Sequence, residues 1–126
     1  MGNIYETFVV NGPDLRSSPV EVTPTLYPDL DRDFNGFRDC TLVAAHRFER
    51  DWPSWEMHPA GDEIVVLLSG AATFVLDEGG SKRQVTLSKP GDFVIVPKAT
   101  WHTARITQPA SMLFVTPGEG TQHRAG

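Results

Sequence analysis

The sequence predicts an all-β fold, and three features carry that prediction. Ten prolines and eleven glycines interrupt a chain of 126 residues, so long uninterrupted elements are rare. Between these breaks lie short segments that alternate between apolar and polar side chains or are apolar throughout, as strands are. No stretch of the sequence shows a convincing helical period. Seven to nine short strands at such spacing are typical of a β-sandwich or a closed barrel.

The first 40 residues are the least regular part of the chain and are expected to form an N-terminal arm of edge strands and loops. Residues 5–10 are a candidate short strand that ends in a turn. Proline cannot donate to the central ladder of a sheet, so the segment that follows is expected to be edge strand or loop. Its prolines are Pro19, Pro24 and Pro28. Residues 29–39 are polar and are predicted to be a loop.

Residues 41–117 are expected to form the barrel core. Residues 41–50 alternate, which favours a strand with one buried face. Ile64–Leu68 is apolar throughout, which indicates a strand covered on both faces. The remaining strands are predicted at residues 55–58, 71–76, 82–87, 92–96, 101–107 and 112–116. Residues 118–126 are expected to be a mobile polar tail. The whole chain, residues 1–126, is therefore predicted to be one domain.

Charge and composition exclude several classes of partner. Eleven basic and sixteen acidic residues give a net charge of −5, which argues against nucleic acid and anionic membranes as partners. No apolar run approaches the roughly 20 residues of a membrane span. The N-terminus lacks the basic and apolar regions of a signal peptide. Cys40 is the single cysteine, so no intrachain disulfide is possible, and a cytoplasmic protein is expected.

Four side chains of the kinds that bind metals fall into two clusters. Glu56 and His58 lie two residues apart on an extended segment, so they point to the same face. A turn follows, and Glu63 begins the next strand, where it can aim at the same point. His102 comes just after another turn. Two imidazoles with carboxylates suit a first-row divalent ion such as zinc, and two histidines with one carboxylate bind iron(II) in non-haem oxygenases.

The spacing of these residues resembles the two motifs of the cupins. The segment from Glu56 to Gly70 reads E-x-H-x4-E-x6-G and resembles the family's G-x5-H-x-H-x3,4-E-x6-G. The segment from Gly91 to Ile106 reads G-x5-P-x-A-x2-H-x3-I and resembles G-x5-P-x-G-x2-H-x3-N. The stretch from Glu56 to Ile106, which contains both segments, covers 51 of the 126 residues.

This resemblance implies a small single-domain cupin with a double-stranded β-helix, or jelly-roll, barrel. It implies that one divalent transition metal ion (Fe, Mn, Zn or Ni) is bound in the barrel mouth by Glu56, His58, Glu63 and His102. It also implies a frequent tendency to form homodimers. The chain departs from the family pattern at four positions. Glu56 replaces the first histidine, Ala99 and Arg50 each replace a glycine, and Ile106 replaces an asparagine.

Glu56 is the departure with the clearest chemical consequence. Two glutamates would neutralise both positive charges of the ion, whereas a single glutamate would leave one. A neutral centre should acidify bound water less and attract anionic substrates less. If Glu56 stays off the metal, it is the candidate catalytic base. The alternative without any metal is a hydrogen-bonded cluster of His58, Glu63 and His102, because a buried Glu63 needs a partner in either case.

Other side chains near these clusters have two interpretations each. Trp52, Trp55 and Trp101 are either an aromatic wall for a small ligand or part of the barrel packing or of a dimer contact. Trp55 and Trp101 are each adjacent to a candidate ligand in the sequence and should point away from the metal. His46 could line the cavity, but a structural role is expected. His123 is expected to be a mobile surface residue.

The leading hypothesis for function is a metal-binding cupin that acts on a small organic molecule. The resemblance implies a metal-dependent enzyme of the oxygenase, isomerase or decarboxylase type. The alternatives are a non-catalytic small-molecule-binding or sensor protein and a structural dimerisation domain, and the fold alone does not choose among them. A homodimer is expected from the resemblance and from the apolar segment Ile64–Leu68.

Overall fold

The computed structural model describes residues 2–126, which form nine strands and two short helical segments. The elements in chain order are β1 (Thr7–Asn11), β2 (Ser17–Glu21), α1 (Leu26–Asp33), a 3-10 turn (Asn35–Phe37), β3 (Thr41–Phe48), β4 (Ser54–Met57), β5 (Glu63–Glu78), β6 (Ser81–Leu87), β7 (Phe93–Val96), β8 (Trp101–Thr116) and β9 (Gln122–Ala125). Within this part of the chain, every helix is too short or too polar to cross a bilayer.

Two long strands organise the barrel. β5 and β8 have 16 residues each and pair in antiparallel fashion along most of their lengths. The register shifts between Leu67 and Ala72, where both strands bend. Gly70 lies in this bend at φ +80°, and a Cβ there would collide with the carbonyl oxygen of Pro109. Glycine is therefore required at this position because the two backbones approach each other too closely for a side chain.

The bends allow each long strand to pair with different neighbours along its length. The first part of β8 lies beside β4, and its last part lies beside β3. The first part of β5 lies beside β7, and its last part lies beside β6. This antiparallel jelly-roll arrangement confirms the predicted all-β fold class. The sequence predicted two separate strands at residues 64–68 and 71–76, and two more at 101–107 and 112–116. These predicted breaks were wrong, because β5 and β8 each continue through the bend with irregular pairing and without a turn.

Two hydrophobic cores hold the elements together. The larger core fills the barrel and consists of side chains from β5 to β8: Val65, Leu67, Ala72, Phe74, Leu76, Leu87, Val94, Ala104, Ala110, Met112 and Phe114. The smaller core joins the N-terminal arm to β3 and consists of Phe8, Val10, Leu26, Leu30, Phe37, Cys40, Leu42 and Ala44. Burial raises the pKa of the Cys40 thiol, which therefore stays protonated at neutral pH.

The N-terminal arm is more regular than the sequence predicted. Within residues 2–126, β2 pairs only with β1, so Pro19 lies on an edge strand as expected. The prediction of no helix was wrong, because Leu26–Asp33 forms α1. Pro28 is the third residue of this helix, where the N–H that proline lacks would have no partner within the helix. Leu26 and Leu30, four residues apart, bury one face of the helix in the smaller core.

The C-terminal nine residues also differ from expectation. Instead of forming only a tail, they supply β9, which pairs with β4 and places His123 opposite Glu56. The expected burial of Ile64–Leu68 on both faces was wrong as well. In the single chain, Ile64 and Leu68 are 39% and 37% exposed, whereas Val65 and Leu67 between them are fully buried. This segment therefore has one face in the core and one apolar face directed outward.

Candidate metal centre

Three strands bring the four candidate ligands to one place in the barrel. β4 and β8 are antiparallel neighbours, and their pairing puts Glu56 opposite His102. His58 follows β4 directly, and Glu63 is the first residue of β5. His58, Glu63 and His102 are 5%, 2% and 0% exposed, whereas the side chain of Glu56 is 30% exposed. The site thus has three buried groups and one group nearer the solvent.

Glu63 lies between the two imidazoles. Its Oε1 is 3.2 Å from His102 Nε2, and its Oε2 is 3.4 Å from His58 Nε2. Oε2 also accepts a hydrogen bond of 2.6 Å from the hydroxyl of Thr116 on β8. Glu56 Oε2 is 3.8 Å from His58 Nε2, and Glu56, His58 and His102 each offer an atom within 4.8 Å of the others. Glu56, His58 and His102 thus form one group that could hold an ion, and Glu63 lies within 3.4 Å of both imidazoles of that group.

The buried atoms at this point have no hydrogen-bonding partner. Among residues 2–126, His58 Nε2, Glu63 Oε1 and His102 Nε2 are fully buried and make no hydrogen bond, although the nitrogen and oxygen atoms lie close together. Leaving such groups unpaired costs roughly 1–3 kcal/mol each. A divalent cation would satisfy all three atoms at once, since each carries a lone pair. The residues present therefore fit a metal ion.

Hydrogen bonds at the far side of each ring determine which nitrogen faces the site. His102 Nδ1 lies 3.0 Å from the carbonyl oxygen of Thr100, which can only accept. In the neutral ring, Nδ1 therefore carries the proton, and Nε2 has the lone pair that can bind a cation. The same applies to His58, whose Nδ1 is 2.8 Å from the hydroxyl of Thr121. That hydroxyl donates its single proton to the carbonyl of Gly118, so it accepts from His58.

The electrostatics favour an ionised Glu63. Burial by itself would raise the pKa of this carboxyl, but the imidazoles of His102 and His58, which lie 3.2 and 3.4 Å from its two oxygens, lower the pKa to about 2. For His102, burial would lower the pKa, yet the net shift is upward because Glu63, the Thr100 carbonyl and Glu56 favour the charged ring. Without a metal, the cluster thus stabilises a negative charge on Glu63, and the same charge would be available to a cation.

A family model of the cupin domain matches residues 49–116, more than half of the chain and all four candidate ligands. This chain belongs to the cupin family. No curated protein sequence matches it. The predicted family is thereby confirmed.

Solved structures with the same fold include several cupins of low sequence identity. A cupin-2 domain protein from Shewanella frigidimarina is 17% identical, with a TM-score of 0.52 over 61% of this chain and 70% of the other. Oxalate decarboxylase of Bacillus subtilis, a protein with Mn(II) centres, is 20% identical, with a TM-score of 0.57 over 68% of this chain. The match spans only 23% of the decarboxylase chain. Hydroquinone 1,2-dioxygenase from a Sphingomonas species is 19% identical, with a TM-score of 0.50, over 60% of this cupin and 58% of the dioxygenase.

In the turn before His102, Ala99 stands where the family motif has a glycine. Ala99 adopts φ +60°, the left-handed conformation that favours glycine. Its N–H donates a 3.0 Å hydrogen bond to the carbonyl of His58, which joins the two motif segments. The substitution therefore leaves the turn in place at a cost of about 1–2 kcal/mol in backbone strain.

The three tryptophans of this cupin have different positions. Trp52 packs inside the barrel, 5.6 Å from Phe74 and 6.1 Å from the ring of His102 between centroids. Trp55 and Trp101 lie on the outside, where the guanidinium of Arg124 contacts both rings. The expectation that these two point away from the site is confirmed. Within the described residues, the buried Nε1 of Trp52 has no hydrogen-bonding partner.

His46 is part of the packing and not of the candidate metal centre. Its ring lies 5.2 to 6.0 Å from the rings of Phe8, Phe114 and Phe48 between centroids. A surface cavity of about 460 Å³ lies elsewhere, between the turn joining β1 to β2 and the segment after α1. None of the four candidate ligands lines this cavity, so it does not compete with the centre described above.

Sequence reasoning missed four side chains around the site. Thr116 and Thr121 hydrogen-bond to Glu63 and His58, and His123 Nε2 lies 3.3 Å from Glu56 Oε1. Partial burial, followed by the negative charges of Glu56 and Glu63, raises the pKa of Tyr27 on α1, so this phenol responds to the charge of the site. Threonine and tyrosine carry no spacing signal. His123 was visible as one of only four histidines in the chain.

Proposed function

We propose that this cupin is a metal-dependent enzyme that acts on a small organic molecule. His58, Glu63 and His102 hold one divalent transition metal ion, and Glu56 is a fourth ligand or a base beside it. The observation that supports this most strongly is the convergence of three buried atoms without hydrogen bonds, namely His58 Nε2, Glu63 Oε1 and His102 Nε2. When bound, the ion would supply Lewis acidity and a coordination position for a substrate or O₂.

The surroundings of the site support an oxygen-containing substrate. Trp52 lies beside His102, and its buried Nε1 is a donor without a partner in residues 2–126. A carbonyl, carboxylate or phenol oxygen could accept a hydrogen bond from this group. Glu56, which is partly exposed, is the candidate to take a proton from a bound molecule. Cupins of the same fold include oxalate decarboxylase, oxalate oxidase and hydroquinone dioxygenase, all of which act on oxygen-containing small molecules.

Metal binding is tested by equilibrium dialysis against Zn²⁺, Mn²⁺, Fe²⁺ and Ni²⁺, followed by elemental analysis. We expect about one ion per chain in the wild type, and a loss of at least about 100-fold in affinity in Glu63→Gln. Glu49→Gln, a substitution of an exposed glutamate, is the matched control. Full metal content in a folded Glu63→Gln protein would show that the ligand assignment is wrong.

Catalysis is tested with the protein loaded separately with each metal. The first compounds to test are small carboxylic acids and dihydroxybenzenes, with O₂ uptake and CO₂ release as readouts. A compound that raises the melting temperature and is consumed supports the enzyme. A compound that binds and is returned unchanged with every metal would favour the non-catalytic binding protein instead.

We also propose that two copies of this chain associate through an outer face of the barrel. Ile64 on β5 lies opposite Ile95 on β7, Phe93 lies opposite Val66, and Leu68 is two residues beyond Val66 on the same face of β5. Four of these side chains, called here the apolar stripe, are 39%, 48%, 37% and 60% exposed in the order Ile64, Ile95, Leu68 and Phe93. Adjacent exposed apolar side chains of this kind are typical of protein interfaces.

A further inference from the structure

Gly118–Gly126, called here the C-terminal segment, runs along the candidate metal centre. Its strand β9 is antiparallel to β4, with His123 opposite Glu56 and Arg124 opposite Trp55. Arg124 anchors the strand, since its guanidinium lies 4.5 Å from the ring of Trp101 and 3.3 Å from Asp77 Oδ2. The segment is therefore fixed to the barrel by backbone pairing and by one anchoring side chain.

Two side chains of this segment contact two of the candidate ligands. The Thr121 hydroxyl donates to the Gly118 carbonyl at 2.9 Å and accepts from His58 Nδ1 at 2.8 Å. This pair of bonds holds the proton on Nδ1 and directs the Nε2 lone pair into the barrel. His123 Nε2 lies 3.3 Å from Glu56 Oε1, while the other oxygen of Glu56 faces His58 Nε2 at 3.8 Å.

We propose that the C-terminal segment is a working part of the metal centre, in which Thr121 positions His58 and His123 positions Glu56. This inference rests on the proposed function, because both residues act through side chains that we assign as ligands. Thr121 fixes the tautomer that binds a cation. His123 holds one oxygen of Glu56, so that the other oxygen points toward the ion. Groups that orient metal ligands in this way typically contribute 10- to 100-fold in affinity.

The glutamate at position 56 explains why this cupin would need His123 as a positioning residue. An imidazole at this position would be a rigid ligand with one nitrogen available. A carboxylate has two equivalent oxygens and a longer, more flexible side chain, so its binding mode is not fixed by the backbone alone. His123, the residue directly opposite on β9, supplies that restraint from the neighbouring strand.

Linkage gives the proposal a second consequence. If the C-terminal segment strengthens metal binding, metal binding must stabilise the docked segment by the same factor. Amide hydrogen exchange in residues 118–126 should therefore slow when the ion binds. Exchange in β6, which is exposed and does not contact the candidate ligands, should stay unchanged and serves as the internal reference.

The test measures Zn²⁺ affinity of the full chain by competition with a chelating dye, together with the visible spectrum of the Co²⁺ form. Thr121→Val should weaken Zn²⁺ binding about 10- to 100-fold, and His123→Leu about 10-fold. Thr121→Ser and His123→Gln keep the hydroxyl and an N–H donor, so they should recover most of the loss. Gln122→Ala, a neighbouring exposed residue on β9, should bind as the wild type does.

The outcomes distinguish this inference from the function on which it rests. If Thr121→Val and His123→Leu bind Zn²⁺ as tightly as the wild type does, the proposed role of the C-terminal segment is wrong and the assignment of the metal centre is unaffected. A wild type that binds no divalent ion would overturn both. Hydrogen exchange of residues 118–126 that is equally fast with and without Zn²⁺ would also contradict the inference, whatever the affinities of the variants.

Discussion

Glu63 combines deep burial with a lowered pKa, and the combination explains its place in the centre. Burial opposes the charged form, and the imidazoles of His102 and His58 outweigh that effect to bring the pKa to about 2. Glu63 is therefore ionised at neutral pH without a cation present, so a metal need not displace a proton from it. Thr116 holds Oε2 and leaves Oε1 without a hydrogen bond.

His46 predicts a pH dependence of stability that is separate from the metal centre. Burial among phenyl rings, only partly offset by the charge of Glu56, lowers the pKa of His46 below its ordinary value of 6.5. The unfolded chain then binds a proton more readily than the folded one. This contribution to stability is present above about pH 6.5 and is lost as the pH falls through the lowered pKa of the folded protein.

The variant His46→Phe removes this proton-binding site and keeps a ring among Phe8, Phe48 and Phe114. We expect the metal-free variant to lose less melting temperature than the wild type between about pH 8 and about pH 5. His102, whose pKa is shifted in the opposite direction, is present in both proteins and cancels in the comparison. The same pH dependence in both proteins would contradict this assignment.

The residues of the centre differ in how well sequence could predict them. The spacing of His58, Glu63 and His102 follows from strand geometry and the family motifs, so the sequence alone is enough to pick out these three positions. The contact of His123 with Glu56 joins residues 67 positions apart. It depends on the register of β9 on β4, and β9 has four exposed residues with no apolar alternation to predict a strand.

At the scale of elements, α1 shows why the N-terminal arm was harder to predict than the barrel. Its sequence LYPDLDRD has only two buried residues and contains a proline, so it presents no periodic pattern of useful length. The helix is stabilised by tertiary packing of Leu26 and Leu30 on Phe8 and its neighbours, and not by local propensity.

Leu30→Ala tests this dependence on packing. Leu30 is 4% exposed, and truncation of a buried leucine leaves a cavity that costs about 2–5 kcal/mol in the free energy of unfolding. Urea denaturation measures the change. Leu15→Ala, at a leucine that is 88% exposed, is the matched control and should change stability by less than about 0.5 kcal/mol. Equal effects of the two substitutions would show that α1 is not packed as described.

At the scale of the molecule, β5 separates the candidate centre from the apolar stripe. Successive residues of a strand point to opposite faces, so Glu63 faces the barrel interior and Ile64 faces outward. The sequence suggested a dimer from the family resemblance and from Ile64–Leu68, and the structure adds Phe93 and Ile95 from β7 to the same outer face. The sequence could not assign these two residues to this face, because their position depends on the register in which β7 pairs with β5.

This separation yields a prediction in which oligomeric state and metal content vary independently. Phe93 is the most exposed member of the stripe, and Phe93→Glu would place a charge in the centre of the proposed interface, where charged groups are disfavoured. Light scattering should give twice the mass of the chain for the wild type and the mass of one chain for Phe93→Glu. Leu15→Glu, a change at a more exposed leucine outside the stripe, should remain a dimer.

Metal content should be the same in Phe93→Glu and in the wild type, because Phe93 lies on the outer face while the four candidate ligands lie on the inner one. A monomeric wild type would contradict the dimer and leave the metal centre unaffected. Loss of the ion together with the dimer would show instead that association shapes the centre, which the alternation along β5 gives no reason to expect.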